Sequence, residues 1–329
     1  MVLIKYLNGI FYGLFIPVVL LLSPLFLLNI YADEIDVRAK ETSESYELEQ
    51  EMIADRQAQQ EDNNFSSEID SYLRYIPSRS SATQSGKIRI TQSGIEYSYD
   101  FKAFGELPVE LSLNPEYINI NNSTPVKLPT FLTKLSAGFN ATAPLFDIKG
   151  TYFYMELNPS FYGDNWDFGP SNFYFESRYT IIYQPNERLS LVAGLDVNPV
   201  HRYPFLSVFN TYPVSPVLGF IYKPNDKLMF NILPDTPNIS YTLTDRVTLF
   251  IQENDSLERY YVTKDNAETK LNYSQLYLSA GLKFKINKFI ETSLAMGNSF
   301  RQILKYTDTA GKVTTRNGLF AEFRIEVKI

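Results

Sequence analysis

The chain has 329 residues, with 30 basic and 37 acidic side chains, a net charge of −7, 24 Tyr, 24 Phe, one Trp and no cysteine. The missing cysteine excludes disulfides, thiolate metal sites, thiol catalysis and an N-terminal lipoprotein anchor. A single histidine, His201, excludes a histidine metal cluster, and no basic surplus marks a nucleic-acid footprint.

Residues 1–32 read as a signal peptide. Lys5 is the only charge before Asp33, an apolar run extends from Ile10 to Leu28, and Ile30-Tyr31-Ala32 has the form of a cleavage site. The run is long for a signal peptide, so an uncleaved anchor helix is the alternative. Gly13, Pro17 and Pro24 interrupt it and favour cleavage. Residues 33–86 carry 13 acids and 5 bases and few large apolar side chains. Such a composition buries too little surface to offset chain entropy. It predicts an acidic, mostly disordered periplasmic leader, read as a solvated spacer or as a plug.

From Lys87 the acids and bases balance at 24 each, and the pattern becomes strand, turn, strand. Ile95, Tyr97, Tyr99 and Phe101 alternate with Glu96, Ser98, Asp100 and Lys102. Leu276, Leu278, Ala280, Leu282, Phe284 and Ile286 alternate with Tyr277, Ser279, Lys283 and Lys285. Successive side chains of a strand point to opposite faces, so each run has one apolar face. Thirteen such runs are expected: 88–103, 107–120, 133–146, 151–162, 173–184, 188–198, 214–223, 227–233, 239–245, 246–262, 273–286, 289–306 and 318–329. The last places Leu319, Ala321, Phe323, Ile325, Val327 and Ile329 on one face, against Phe320, Glu322, Arg324, Glu326 and Lys328. Many runs reach the roughly 9–11 residues that a tilted strand needs to cross a bilayer. Bacterial barrels use even strand numbers. The expectation is therefore an all-β, transmembrane, up-and-down antiparallel barrel over residues 87–329, of about 12 strands with 14 as the alternative.

The turns repeat. Tyr183-Gln-Pro-Asn-Glu-Arg-Leu189 recurs as Tyr222-Lys-Pro-Asn-Asp-Lys-Leu228 and more weakly as Tyr241-Thr-Leu-Thr-Asp-Arg-Val247. Pro185 and Pro224 are expected to end their strands, since proline donates no ladder bond. Tyr183, Tyr222 and Tyr241 share parity with the apolar faces and are candidate girdle residues at the headgroup level. Longer polar connections are expected near 121–131, 163–172, 199–212, 263–272 and 307–317. Short turns on one side and long loops on the other is the outer-membrane layout.

These Tyr-x-Pro-Asn-acid-base-Leu turns, the hairpin from Ile239 to Leu249 and the closing strand resemble an uncharacterised family of bacterial outer-membrane barrels, a domain of unknown function. The likeness covers about residues 87–329. Many such barrels end in Phe, where this chain has Ile329. The resemblance implies a location and a fold, and no catalytic residue.

Glu176, Arg178, Asp196, Lys283, Lys285, Glu291, Arg301, Glu322, Arg324, Glu326 and Lys328 have parity opposite the apolar faces. A Lys or Arg on lipid at mid-bilayer costs about 2–4 kcal/mol, so these are candidate lumen-lining residues. Mixed signs fit either a water-filled channel or charges that pair and plug the lumen. No phosphate loop, nucleophile elbow or calcium loop is found, and no cofactor is expected. Asp164-Asn165-Trp166-Asp167 fits a plain turn better than a cation site. His201, near Asp196, would be needed by an outer-membrane hydrolase, but no paired nucleophile accompanies it. The reading is a non-enzymatic barrel, a passive channel or transporter for small solutes. Its alternative is a closed barrel working through its outer loops. Its partners are outer-membrane lipid and the barrel assembly machinery.

Overall fold

Alternation of apolar and polar residues leaves the backbone one way to satisfy its polar groups inside lipid, a closed ladder of strands. The structure, a computed structural model, describes residues 67–103, 107–145, 148–166, 169–198, 214–234, 237–300, 302–307 and 310–329. The strands are β1 (Ser67–Ser80), β2 (Lys87–Ala103), β3 (Leu107–Asn122), β4 (Phe131–Pro144), β5 (Thr151–Gly163), β6 (Phe173–Asn186), β7 (Leu189–Val197) and β8 (Val214–Asn225). They continue as β9 (Leu228–Ile232), β10 (Asn238–Thr244), β11 (Val247–Lys264), β12 (Ala267–Lys285), β13 (Ile290–Ser299), β14 (Ile303–Tyr306), β15 (Lys312–Thr314) and β16 (Gly318–Lys328).

Neighbours in sequence pair antiparallel from β1 to β13, β13 pairs with β16, and β16 closes on β1. The ring is an up-and-down transmembrane barrel of 14 strands, with β14 and β15 outside it. It is apolar on the outside. Leu73, Ile95, Ile181, Leu218, Ile251, Leu294 and Met296 are all exposed. Polar residues turn inward: Arg74, Gln92, Glu116, Glu258 and Glu322 are buried.

The ring thus has the alternative count of 14 rather than 12: all thirteen expected runs fall on ring strands, and the fourteenth is β1, inside the stretch expected to be a disordered leader. The barrel begins at Ser67, and the leader reading fails for residues 67–86. Composition averaged over 33–86 hid a local alternation. Ile69, Ser71, Leu73 and Tyr75 take one face, and Asp70, Tyr72, Arg74 and Ile76 the other. Residues 1–66, with the signal peptide and the rest of the leader, lie outside the described residues, as do His201 and Arg301.

Three further expectations are corrected. Residues 263–272 are not a loop. β11 and β12 run on for 18 and 19 residues and turn tightly at Asp265 and Asn266, whose φ values of 52° and 64° suit a two-residue hairpin. The run 289–306 divides into β13 and β14, which pairs with the far end of β12. Pro185 and Pro224 do not end their strands. Each sits inside a register shift just before the turn, where a bulge tolerates the missing donor. The turns themselves share one device. Asn186 Oδ1 accepts from Arg188 N at 3.0 Å, Asn225 Oδ1 from Lys227 N at 3.0 Å, and Asn287 Oδ1 from Phe289 N at 2.7 Å. Thr244 serves Arg246 in the same way at 3.3 Å.

Candidate functional site: a divided lumen

The lumen changes character along its axis because β11 leaves the ring. Its pairing with β10 ends at Gln252. Beyond that point β11 leans toward β5, six strands away in ring order, and bridges Gly163 through Tyr261. Thr263 N donates to Asp164 Oδ2 at 2.7 Å, and Tyr260 packs edge-on against Tyr162 at 5.4 Å. So Asp164, within the turn that was weighed as a cation site, holds a backbone N–H. Between this crossing and β1–β4 lies a closed apolar core. Ile76, Ile88, Ile118, Leu132, Leu271, Leu304 and Val313 are all within 1% of full burial. Phe320 joins it, with its ring 4.8 Å from Tyr277. The barrel interior at the long-loop end is therefore filled on this side by side chains, with no free passage through that core.

Below the core lies a polar belt. Arg74 and Glu322, directly opposite across the β1–β16 pair, form an ion pair at 2.6 Å. Arg74 also donates to Gln92 Oε1 at 3.1 Å, Gln92 donates to Glu116 Oε1 at 2.8 Å, and Tyr72 donates to Glu116 Oε2 at 2.7 Å. The Arg74 guanidinium lies 4.4 Å from the Tyr277 ring centre, a cation–π contact that recovers part of its lost hydration. Next along the belt, Lys134 Nζ is 3.6 Å from Glu258 and 5.2 Å over the Tyr162 ring. Tyr260 donates to Glu258 at 2.6 Å and Tyr162 to Glu176 at 2.9 Å. Buried charges need ion pairs or hydrogen bonds: Arg74 and Lys134 pair with Glu322 and Glu258, while Glu116 and Glu176 are held by hydrogen bonds.

The opposite wall differs. A cavity of about 470 Å³ opens at the short-turn end, beside Asn225 and Lys227. On its β10, β11 and β13 side it is lined by Ser240, Thr242, Thr248, Gln252, Thr292 and Ser293. Among the described residues none of these six side chains has a hydrogen-bond partner in the protein. Phe250 lines the cavity among them. Its ring lies against Gly281 on β12, where a Cβ would fall 2.5 Å from the ring's Cζ. On the β12, β13 and β16 side the charges pair with one another. Lys283 meets Glu291 at 2.6 Å, and Arg324 meets Asp70 at 3.1 Å and Glu322 at 3.8 Å.

Of the residues singled out from sequence, Lys283, Glu291, Glu322, Arg324 and Glu326 line this cavity together. Glu326 pairs with Lys328 at 3.2 Å. Lys285 is exposed at the end of β12. Arg178 and Asp196 face each other across β6 and β7 at 3.4 Å, apart from the cavity lining, while Glu176 is part of the belt. Tyr183 and Tyr241 point outward beside their turns, 44% and 43% exposed. Tyr222 stacks on Phe230 at 6.4 Å. Sequence reasoning missed Arg74, Gln92, Glu116, Lys134, Glu258 and Phe250. Arg74 had a signal, since it alternates with Leu73 and Tyr75; the others needed the register.

Solved structures with similar folds include an outer membrane channel from Pseudomonas putida F1, at 8% identity and a TM-score of 0.46, covering 80% of this chain and 96% of that one. Another is a TodX monoaromatic hydrocarbon channel mutant, at 10% identity and a TM-score of 0.43, with 80% and 90% covered. A third is the KdgM porin in complex with oligogalacturonate, at 10% identity and a TM-score of 0.32, with 79% and 99% covered. No curated protein sequence matches the chain. A family model, by contrast, matches residues 108–318, from β3 to the first residue of β16, and the chain belongs to that family, described as Domain of unknown function (DUF6268).

Proposed function

We propose that the chain resides in the bacterial outer membrane and acts as a passive channel or transporter for small solutes. The observation that carries this reading is the cavity of about 470 Å³, open at one end, within a polar lumen whose outer wall is apolar. Short turns face the periplasm in such barrels and long loops face outward, so the cavity opens to the periplasm. In this reading Lys283, Glu291, Arg324 and Glu326 line the solute's path, and Tyr183, Tyr222 and Tyr241 sit at the headgroup level. Residues 1–32 direct export and residues 33–66 form the acidic periplasmic leader. Membrane lipid, the assembly machinery and small solutes are the partners; no catalytic group is invoked.

The apolar core and the hydrogen-bonded belt favour a second reading, a closed barrel that works through its outer loops. Single-channel conductance of the refolded protein in a planar bilayer separates the two, with folding confirmed by heat-modifiable gel mobility. Steady conductance is expected. A folded barrel that stays silent, with and without residues 33–66, gives the second reading the molecule.

A further inference from the structure

Five hydroxyl and amide groups, those of Ser240, Thr242, Thr248, Gln252 and Ser293, turn into one cavity without a protein partner. We infer that the cavity is a binding site for an uncharged, polyhydroxylated ring solute, a neutral pyranose or short oligosaccharide. The inference rests on the solute-passing reading above and names its substrate class.

Three observations converge. Of the lining charges, Lys283 pairs with Glu291 and Arg324 with Glu322 within the wall, while Lys223, Asp226 and Lys227 sit at the turn that rims the mouth, so beyond that rim a charged solute would compete with formed ion pairs. Ser240, Thr248 and Gln252 have no protein partner and offer both donors and acceptors. The Phe250 ring is seated on Gly281, which has no side chain to displace it. Phe250 and Gly281 are directly opposite across β11 and β12, and Ser240 is opposite Phe250 on β10. A pyranose has an apolar C–H face and a rim of hydroxyls. The face suits a flat aromatic ring and the rim suits the surrounding amide and hydroxyls. A cavity of about 470 Å³ is in the range of small-ligand sites.

The test uses the full chain folded in detergent and isothermal titration with maltotriose, against trigalacturonate as a charged probe of like size. Saturable maltotriose binding is expected, tighter than trigalacturonate. Phe250→Leu, which keeps an apolar side chain but loses the ring face, should weaken it roughly fivefold, the scale of one aromatic contact. Should that variant not fold, Ser240→Ala with Gln252→Leu should weaken binding about fivefold or more through lost hydrogen bonds. Absent maltotriose binding, equal or tighter trigalacturonate binding, or full affinity in the folded variants overturns the inference. Conductance measured on the same preparation separates the two claims. A silent barrel that binds maltotriose removes the channel and keeps the site. A conducting barrel that does not bind it removes the site and keeps the channel.

Discussion

Arg74 and Phe250 lie on one line of directly paired residues across the strands of the same barrel. The register runs from Met229 through Ser240, Phe250, Gly281, Ala295 and Glu322 to Arg74 and Gln92. Small residues at Gly281 and Ala295 divide this line into two kinds of wall. On the Arg74 side each polar group named in the belt has another as its partner. On the Phe250 side polar groups of similar chemistry are left without one. The lesson is that burial of polar residues in a lumen has two separate uses. A connected network holds strands together, and an unconnected row keeps its bonding capacity for something that enters.

That contrast can be broken from the belt side first. Arg74→Ala would leave buried Glu322 with only its longer 3.8 Å contact to Arg324, a loss of up to about 3–5 kcal/mol. Urea unfolding in lipid vesicles should show this loss, and Arg74→Met with Glu322→Leu should recover most of it. Next comes the apolar core above the belt. Leu271→Ala should cost about 2–5 kcal/mol and lower the temperature of the gel-mobility transition. The outer wall tests the membrane assignment. Leu294 is 52% exposed on the apolar face, and Leu294→Arg should cost about 2–4 kcal/mol in a bilayer. A cost near zero there would place the face in water. The smallest effect sharpens the comparison most. Thr248→Val should change stability by less than about 0.5 kcal/mol, as expected where no protein bond is lost. A loss like that of Arg74→Ala would show that the strip is as structural as the belt.

Much of this was legible because a barrel wall is a local code. The inward parity of Glu322 and Arg324 follows from their alternation with Phe323 and Ile325 alone. The Asn turns after Tyr183 and Tyr222 announce themselves by repetition. What escaped depends on distant partners. That Glu322 is neutralised by Arg74 requires the first strand to lie beside the last, across 248 residues of sequence. That Phe250 presents a face to the cavity requires Gly281 opposite it. The crossing of β11 to β5 follows from a single non-neighbour bridge, Tyr261 to Gly163, and no periodicity encodes it. β1 was lost for a different reason, since its fourteen residues sit beside an acidic stretch that dominated any average taken across both.

The seam between β1 and β16 has a consequence for how the molecule is made. Ile329 N donates to Ser67 O at 2.8 Å, and Ser67 N returns a bond to Ile329 O at 3.3 Å. The two edges that meet there lie at opposite ends of the described chain. Joining them closes the longest loop in the structure, and contacts of such separation are slow to form. Until they form, β1 and β16 are both unfinished edges, able to pair with a neighbouring chain. The final strand thus acts as a clasp, and assembly of the remaining wall stays provisional until it fastens.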